Sequence, residues 1–259
     1  MAVKPIEKIP LTIGGCVVWL DAANLLGFGV ANPADSTSVG TWSDLSGMGK
    51  HAVQATEARK PIFKTNILAG LPGVLGVNAS NQFLQISSAA GGILEISPGV
   101  TVFAVFTETD ATLASAGIFS KDTGNGITNQ PYGLTSGGGG GFTALTGVST
   151  TSTNGINNIT TALGVLTNGT AYVAQMGVDG STNTPSVKFN TTAASTGSSA
   201  ADPLGKSNAP LNILCGKNNG IRSFSGYLHE FVLFNRTLTT GEALIMRKYL
   251  ANKWGVNAN

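Results

Sequence analysis

The chain has 259 residues, of which 42% are apolar, 11% are charged and 35 are glycine, and its formal net charge is +2. Globular chains average roughly 25% charged residues, so solubility here rests on Ser, Thr, Asn and exposed backbone, as in a chain packed against neighbours or an extracellular domain. The absence of a Lys/Arg cluster excludes a nucleic-acid footprint, and two cysteines without a CxxC spacing exclude a disulfide scaffold or thiolate metal site.

Residues 1–14 read as an arm, because Pro5 and Pro10 oppose helix and the charged side chains oppose burial. Lys4 and Lys8 flank the stretch 9–20, but Pro10, Thr12, Gly14 and Gly15 interrupt it, so no signal peptide is expected. No apolar run approaches the roughly 20 residues that span a bilayer, so no membrane partner is expected either. Residues 15–259 form one expected domain, an all-β sandwich of short β-branched and aromatic runs between turn residues. Its expected strands are 16–20, 40–42, 52–54, 61–63, 74–77, 82–86, 100–107, 116–120, 132–134, 142–148, 171–178, 186–189, 212–215 and 224–234.

The run 100–106 is apolar on both parities, as a strand buried on both faces must be, and 172–178 reads the same way. Long loops are expected at 137–141, an unbroken glycine run, and at 149–161 and 190–201, which lack either period. One helix follows. Thr239 and Glu242 fit a capping box, and Ile245, Met246, Tyr249, Leu250 and Trp254 mark its buried face. Gly255 supplies a left-handed cap, and Arg247, Lys248 and Lys253 complement the helix dipole.

Candidate chemistry is sparse. Glu108 and Asp110 stand two residues apart at a strand end, where a solvated terminus is the expectation. Glu230 shares the parity of Leu228, Val232 and Phe234, so it is expected to point inward as a structural anchor paired with Arg236 or Arg222. His229 is expected at the surface or an interface. His51 follows a glycine turn near Asp44, without a Gly-x-Ser-x-Gly elbow to support a catalytic triad. No cofactor is predicted; Asp21, Asp44 and Asp122 are the acids through which Ca2+ would bind, although the loop from Asp122 to Gly126 lacks a closing glutamate. Gly205-Lys206-Ser207 is no phosphate loop, since Ala200 stands where that motif needs glycine. Cys16 and Cys215 are expected as buried thiols, or as a bridge if their strands are neighbours. For a glycan, Tyr132 with Asn129 and Gln130, or Phe142, would stack a sugar ring, the alternative being that both rings pack beneath their loops.

Two terminal signatures carry a family resemblance. Val17-Val18-Trp19-Leu20-Asp21-Ala22-Ala23 leads to Trp42-Ser43-Asp44-Leu45-Ser46-Gly47-Met48-Gly49, where Asp44 and Ser46 cap their own turn. Leu71-Pro72-Gly73-Val74 resembles the entry into a next strand. Gly226-Tyr227-Leu228-His229-Glu230-Phe231-Val232-Leu233-Phe234-Asn235-Arg236 and the terminal helix complete the pattern. Together these resemble the laminin-G-like branch of the concanavalin A-like lectin/glucanase superfamily, through about residue 86 and again from about residue 211.

The resemblance implies a jelly-roll sandwich of two antiparallel sheets, with Trp19, Asp21, Trp42 and Asp44 as structural turn residues. The superfamily's catalytic strand, Glu-x-Asp-x-x-Glu, has no match here, so no enzyme is expected. Its aspartate-rich turn reads Asn78-Ala79-Ser80-Asn81-Gln82, without an acid. Because this layout recurs in bacterial, viral and phage proteins, the leading expectation is a non-enzymatic virion structural protein. That protein would be a bacteriophage capsid decoration or head/tail fibre component on the virion surface, partnered by other virion proteins and by its own copies. A carbohydrate-binding module for host-surface glycans is the second reading, and a glycoside hydrolase the third.

Overall fold

A computed structural model describes residues 8–89, 91–96, 99–110, 114–121, 132–138, 141–147, 156–160, 167–182, 184–196, 208–216, 220 and 222–258. Helix α1 (Ile9–Thr12) leads into β1 (Cys16–Asp21) and a 3-10 turn at Ala22–Asn24. Then come β2 (Thr41–Trp42), β3 (Ala52–Val53), β4 (Ile62–Leu68), β5 (Leu71–Gly76), β6 (Leu84–Ile86), β7 (Gly99–Glu108) and β8 (Ala114–Lys121). They are followed by β9 (Gly133–Gly138), β10 (Gly141–Gly147), β11 (Ile156–Thr160), β12 (Ala171–Asp179) and β13 (Thr184–Phe189). The last elements are β14 (Ser195–Thr196), β15 (Leu211–Ile213), β16 (Gly226–Phe234) and α2 (Thr240–Trp254).

These strands form two antiparallel sheets, the β-sandwich that the alternating pattern predicts. The first runs β14-β13-β12-β7-β16-β5-β4, with β1 joined to β16, and the second runs β11-β10-β9-β8-β15-β6-β3-β2. All ten residues of β7 are buried, in keeping with its apolar character on both parities. Between the sheets Phe119 meets Phe231 edge-on at 5.3 Å, and Phe106 meets Phe224 at 5.9 Å. Strand β16 gives one edge to β7; its other edge is shared, 226–228 pairing with β5 and 230–234 with β1.

A bulge in β16 decides what lies under α2. The register against β7 shifts between Leu228 and Glu230, so the alternation read from sequence breaks there. His229 and Glu230 therefore both face the helix: the His229 ring lies 5.2 Å from that of Trp254, whose Nε1 donates to Glu230 at 2.7 Å. His229 is buried, not on the surface. Its Nδ1 lies 3.2 Å from the Pro72 carbonyl, so that nitrogen donates and Nε2 accepts from the Thr107 hydroxyl at 3.1 Å.

Glu230 is fully buried and takes four donors. Trp19 Nε1 donates at 2.8 Å and the Tyr249 hydroxyl at 2.9 Å to one oxygen; Lys253 Nζ at 2.6 Å and Trp254 Nε1 serve the other. Lys253 also reaches the buried Asp21 at 2.8 Å, and Asp21 caps the 3-10 turn through the Ala23 amide. Neither Arg236 nor Arg222 is the partner. Arg236 instead makes a two-pronged contact with Glu242 and donates to the Gly14 carbonyl at 2.8 Å. Lys253, in the last turn of α2 as expected, is thus also the ion-pair partner of the core.

Helix α2 has the expected capping box between Thr239 and Glu242, and Gly255 takes φ 66° at its end. Its buried face is Ala243, Met246, Tyr249, Leu250, Ala251 and Trp254; Ile245 is 50% exposed and does not belong to it. Helix α1 forms despite Pro10, which sits in the first turn where a missing N–H costs nothing. The expected loops also contain strands. Gly138 pairs with Gly141 as β9 turns into β10, and β11 and β14 lie within 149–161 and 190–201. Neighbouring strands supply the hydrogen bonds there, so glycine and polar residues take extended backbone without a periodic side-chain pattern. Cys16 and Cys215 are buried and are not bridged by a disulfide; burial, with Asp44 nearby, pushes the Cys16 thiol up to about 12.

Replacing Lys253 with Met strands two buried carboxylates, which costs about 3–5 kcal/mol. The exposed Lys248→Met, which tests the dipole reading, stays within about 0.5 kcal/mol. Urea unfolding of both variants, with the m-value held as a check on the two-state transition, distinguishes them.

Candidate functional site

The Trp42–Gly49 signature builds a rigid turn around one carboxylate. Asp44 Oδ1 accepts from the Trp19 amide and the Ser46 amide, both at 2.9 Å. Its Oδ2 accepts from the Ser46 hydroxyl and the Lys50 amide, both at 2.8 Å. Gly47 and Gly49 take φ 88° and 66°, which side-chain-bearing residues rarely adopt. The turn closes when the Asp44 amide donates to Nδ1 of His51 at 3.0 Å. His51 then enters β3.

Strand β3 opens the second feature, a polar row across the second sheet. Register places Thr41 opposite Val53, Val53 opposite Gln85, Gln85 opposite Asn212, Asn212 opposite Ser120, and Ser120 opposite Gly133. One register line lies on one face of a sheet, and six strands span about 24 Å at roughly 4.8 Å per step. The intervening residues Ala52, Leu84, Ile86, Leu211, Ile213 and Phe119 are buried, so the row occupies the face turned away from the first sheet. Gln85 Nε2 donates to Asn212 Oδ1 at 2.8 Å, and Asn212 Nδ2 lies 3.4 Å from the Ser120 hydroxyl. Ser120 donates in turn to the Cys215 carbonyl at 3.0 Å. Asn212 and Ser120 are buried, Gln85 is half-buried, and Thr41 and Val53 are exposed. The row is therefore an accessible uncharged edge whose amide is set by a buried amide and hydroxyl behind it.

None of these row residues belongs to a local motif, and sequence reasoning did not find them; only strand pairing brings them together. Of the residues expected to touch a glycan, Tyr132 is fully buried with its hydroxyl 3.5 Å from the Leu94 carbonyl, and burial raises its pKa. Its ring packs beneath the surface. Asn129 and Gln130 lie outside the described residues, as do Asp122 and the side chain of Phe142. Asp21 and Asp44, the other acids considered for Ca2+, spend their oxygens on protein donors, and no cluster of three or more metal-ligating side chains occurs among the described residues. Among those residues no helix is long and apolar enough to cross a membrane.

Two buried charges went unanticipated. Lys121 on β8 points to the opposite face from Ser120 and donates to the Ser88 hydroxyl at 3.0 Å and the Ala209 carbonyl at 2.7 Å. Burial lowers its pKa to about 8, with the charge of Glu95 opposing the shift and that of Lys50 adding to it. Glu108, expected as a solvated strand end, is fully buried, and neither carboxylate oxygen has a hydrogen-bond partner among the described residues. Burial, with Asp110 adding to it, pushes this carboxyl up to about 7.

No protein-family model and no curated protein matches the sequence. Solved structures do match its fold. The binding domain of Paraclostridial Mosquitocidal Protein 1 superimposes with a TM-score of 0.62 at 11% identity, covering 91% of this chain and 52% of that one. Trypanosoma rangeli sialidase in complex with sialic acid gives 0.57 at 15% identity, over 94% of this chain. Domain 4 of AbnA, a GH43 extracellular arabinanase from Geobacillus stearothermophilus in complex with arabinotriose, gives 0.54 at 13% identity, over 89% of this chain and 96% of that one. The chain spans 34% of the sialidase's length. At these identities the likeness is one of fold.

The Glu108 environment makes a signed prediction. A carboxyl raised from 4.5 to about 7 stabilises the fold fully below 4.5 and loses that contribution as pH rises through 7. His229, lowered by burial to about 4, works the other way between 4 and 6.5, so the comparison must be between variants rather than across pH alone. Glu108→Gln is near-neutral at pH 4.5 and more stable than the parent by on the order of 2 kcal/mol at pH 7.5. Chemical denaturation at the two pH values checks it.

Proposed function

We propose that this chain is a carbohydrate-binding module that engages glycans through the outer face of its second sheet. The observation that carries this reading is the outward segment Thr41–Val53–Gln85 of the cross-strand row, an exposed hydroxyl, an exposed aliphatic side chain and a half-buried amide held from behind by the buried Asn212 and Ser120. Sugars offer hydroxyls on their rims and C–H faces in between, and a few placed polar groups beside apolar surface fix such a ligand's orientation. The fold neighbours support it, since one is a binding domain and another a domain bound to arabinotriose.

Binding without hydrolysis is the expected activity. Glu108 belongs to the first sheet and Glu230 lies under α2, so neither buried glutamate reaches this face, and a hydrolase needs two carboxylates across one bond. A place on a virion, the leading expectation from family habit, finds no support in the structures compared.

The test is calorimetric titration of arabinotriose, lactose and sialic acid into the intact chain. Binding of at least one, weakened about tenfold or more by Gln85→Ala with the fold retained, supports the reading; that loss corresponds to about 1.4 kcal/mol. Binding of none of the three, or binding that Gln85→Ala leaves untouched, overturns it.

A further inference from the structure

We infer that His51 is a ligand-contacting residue of this face, donating its Nε2–H to a saccharide hydroxyl or ring oxygen. The inference rests on the glycan-binding reading and deepens it. His51 enters through geometry alone. It stands two residues before Val53 on the same strand parity, with the fully buried Ala52 between them, and it is exposed. Gln85, opposite Val53, is followed two residues later by the exposed Ser87. Continuing that antiparallel register places Ser87 opposite His51, while Thr41, the exposed Val53 and the half-buried Gln85 lie one register line further along the same face and Met48 is 50% exposed at the turn tip.

The tautomer is set by the turn. Because the Asp44 amide donates to Nδ1, that nitrogen carries no proton, and the ring proton sits on Nε2. The ring cannot reverse these roles without breaking the Asp44 contact. Asp44 is itself immobilised by four donors to its carboxylate, one of them the amide of the buried Trp19. An exposed N–H donor is thus held in one direction by the protein's interior. Such pre-organisation lowers the entropic cost of binding an acceptor. The Nε2 atom makes no hydrogen bond among the described residues.

A purely structural role, capping the Asp44 amide, is the competing account, and it is separable. Asparagine places its side-chain oxygen where Nδ1 sits and has nothing at the Nε2 position. His51→Asn therefore keeps the turn, with Tm within about 2 °C of the parent, but removes the donor. The expected result is at least fivefold weaker binding of whichever of arabinotriose, lactose or sialic acid the parent chain binds. In the parent, proton–nitrogen spectra of the imidazole should show the Nε2-protonated form and a shift of the Nε2 resonance on titration with that saccharide. If the parent binds a saccharide while the ring resonance stays still and His51→Asn binds as the parent does, this inference falls and the glycan reading stands. If the parent binds none of the three, the glycan reading falls and takes the inference with it.

Discussion

The contact on which the rest of the structure depends is the buried cluster of Glu230, Lys253 and Asp21. Three segments far apart in the chain meet there: β1 through Trp19 and Asp21, β16 through Glu230, and α2 through Tyr249, Lys253 and Trp254. Burial works against the Lys253 ammonium, yet the two carboxylates outweigh it and hold its pKa above the ordinary value. Burial also pushes Glu230 up, while Lys253 and the Trp254 N–H pull the other way. A buried pair of this kind adds little net stability over a well-packed apolar alternative, but each orphaned member is expensive, so only one helix register satisfies all of them. The cluster is best understood as fixing geometry.

That geometry propagates to the far side of the molecule. Trp19 donates its ring N–H to Glu230 and its backbone N–H to Asp44. Asp44 organises the 44–50 turn, and its own amide orients His51. One residue, through its ring and its backbone amide, thus couples the helix side of the first sheet to the solvent face of the second through hydrogen bonds whose lengths are all between 2.8 and 3.0 Å. The candidate site inherits its rigidity from a core ion pair it never touches, and second-layer support of this sort is what lets a small number of groups bind a ligand selectively.

How much of this was legible beforehand follows from what local sequence can encode. The sandwich, the central strand β7 and the capping box were readable because alternation, two-sided apolarity and a Thr-to-Glu spacing are local signals. The side of Glu230 was not, because a bulge inserts one residue and reverses every parity inference beyond it. Lys253 looked like helix-end chemistry because its partner lies 23 residues away, on a strand the sequence alone does not place beneath α2. The strands at Ile156–Thr160 and Ser195–Thr196 carry too little hydrophobic pattern to announce themselves; their neighbours make them. The row from Thr41 to Ser120 is the extreme case, since four of its five members come from strands separated by tens of residues and mean nothing until paired.

The sparse charge of the chain and the neutrality of that row have one origin. Several of the charges close on one another: Arg236 with Glu242, Lys60 with Glu57, Lys64 with Asp35, and Lys253 with Asp21 and Glu230. Lys121, the cation nearest to Ser120 in sequence, faces inward onto neutral acceptors. What the described row and His51 hold out to a ligand is amide, hydroxyl and imidazole. Such groups give little long-range attraction, and their interactions change little with ionic strength, so recognition must come from direction rather than field. Directional recognition demands that donors be held still, which is the task the Asp44 turn and the Asn212–Ser120 pair perform. A face of this kind would be a poor partner for a polyanion and a suitable one for a ligand whose identity is written in the orientation of its hydroxyls.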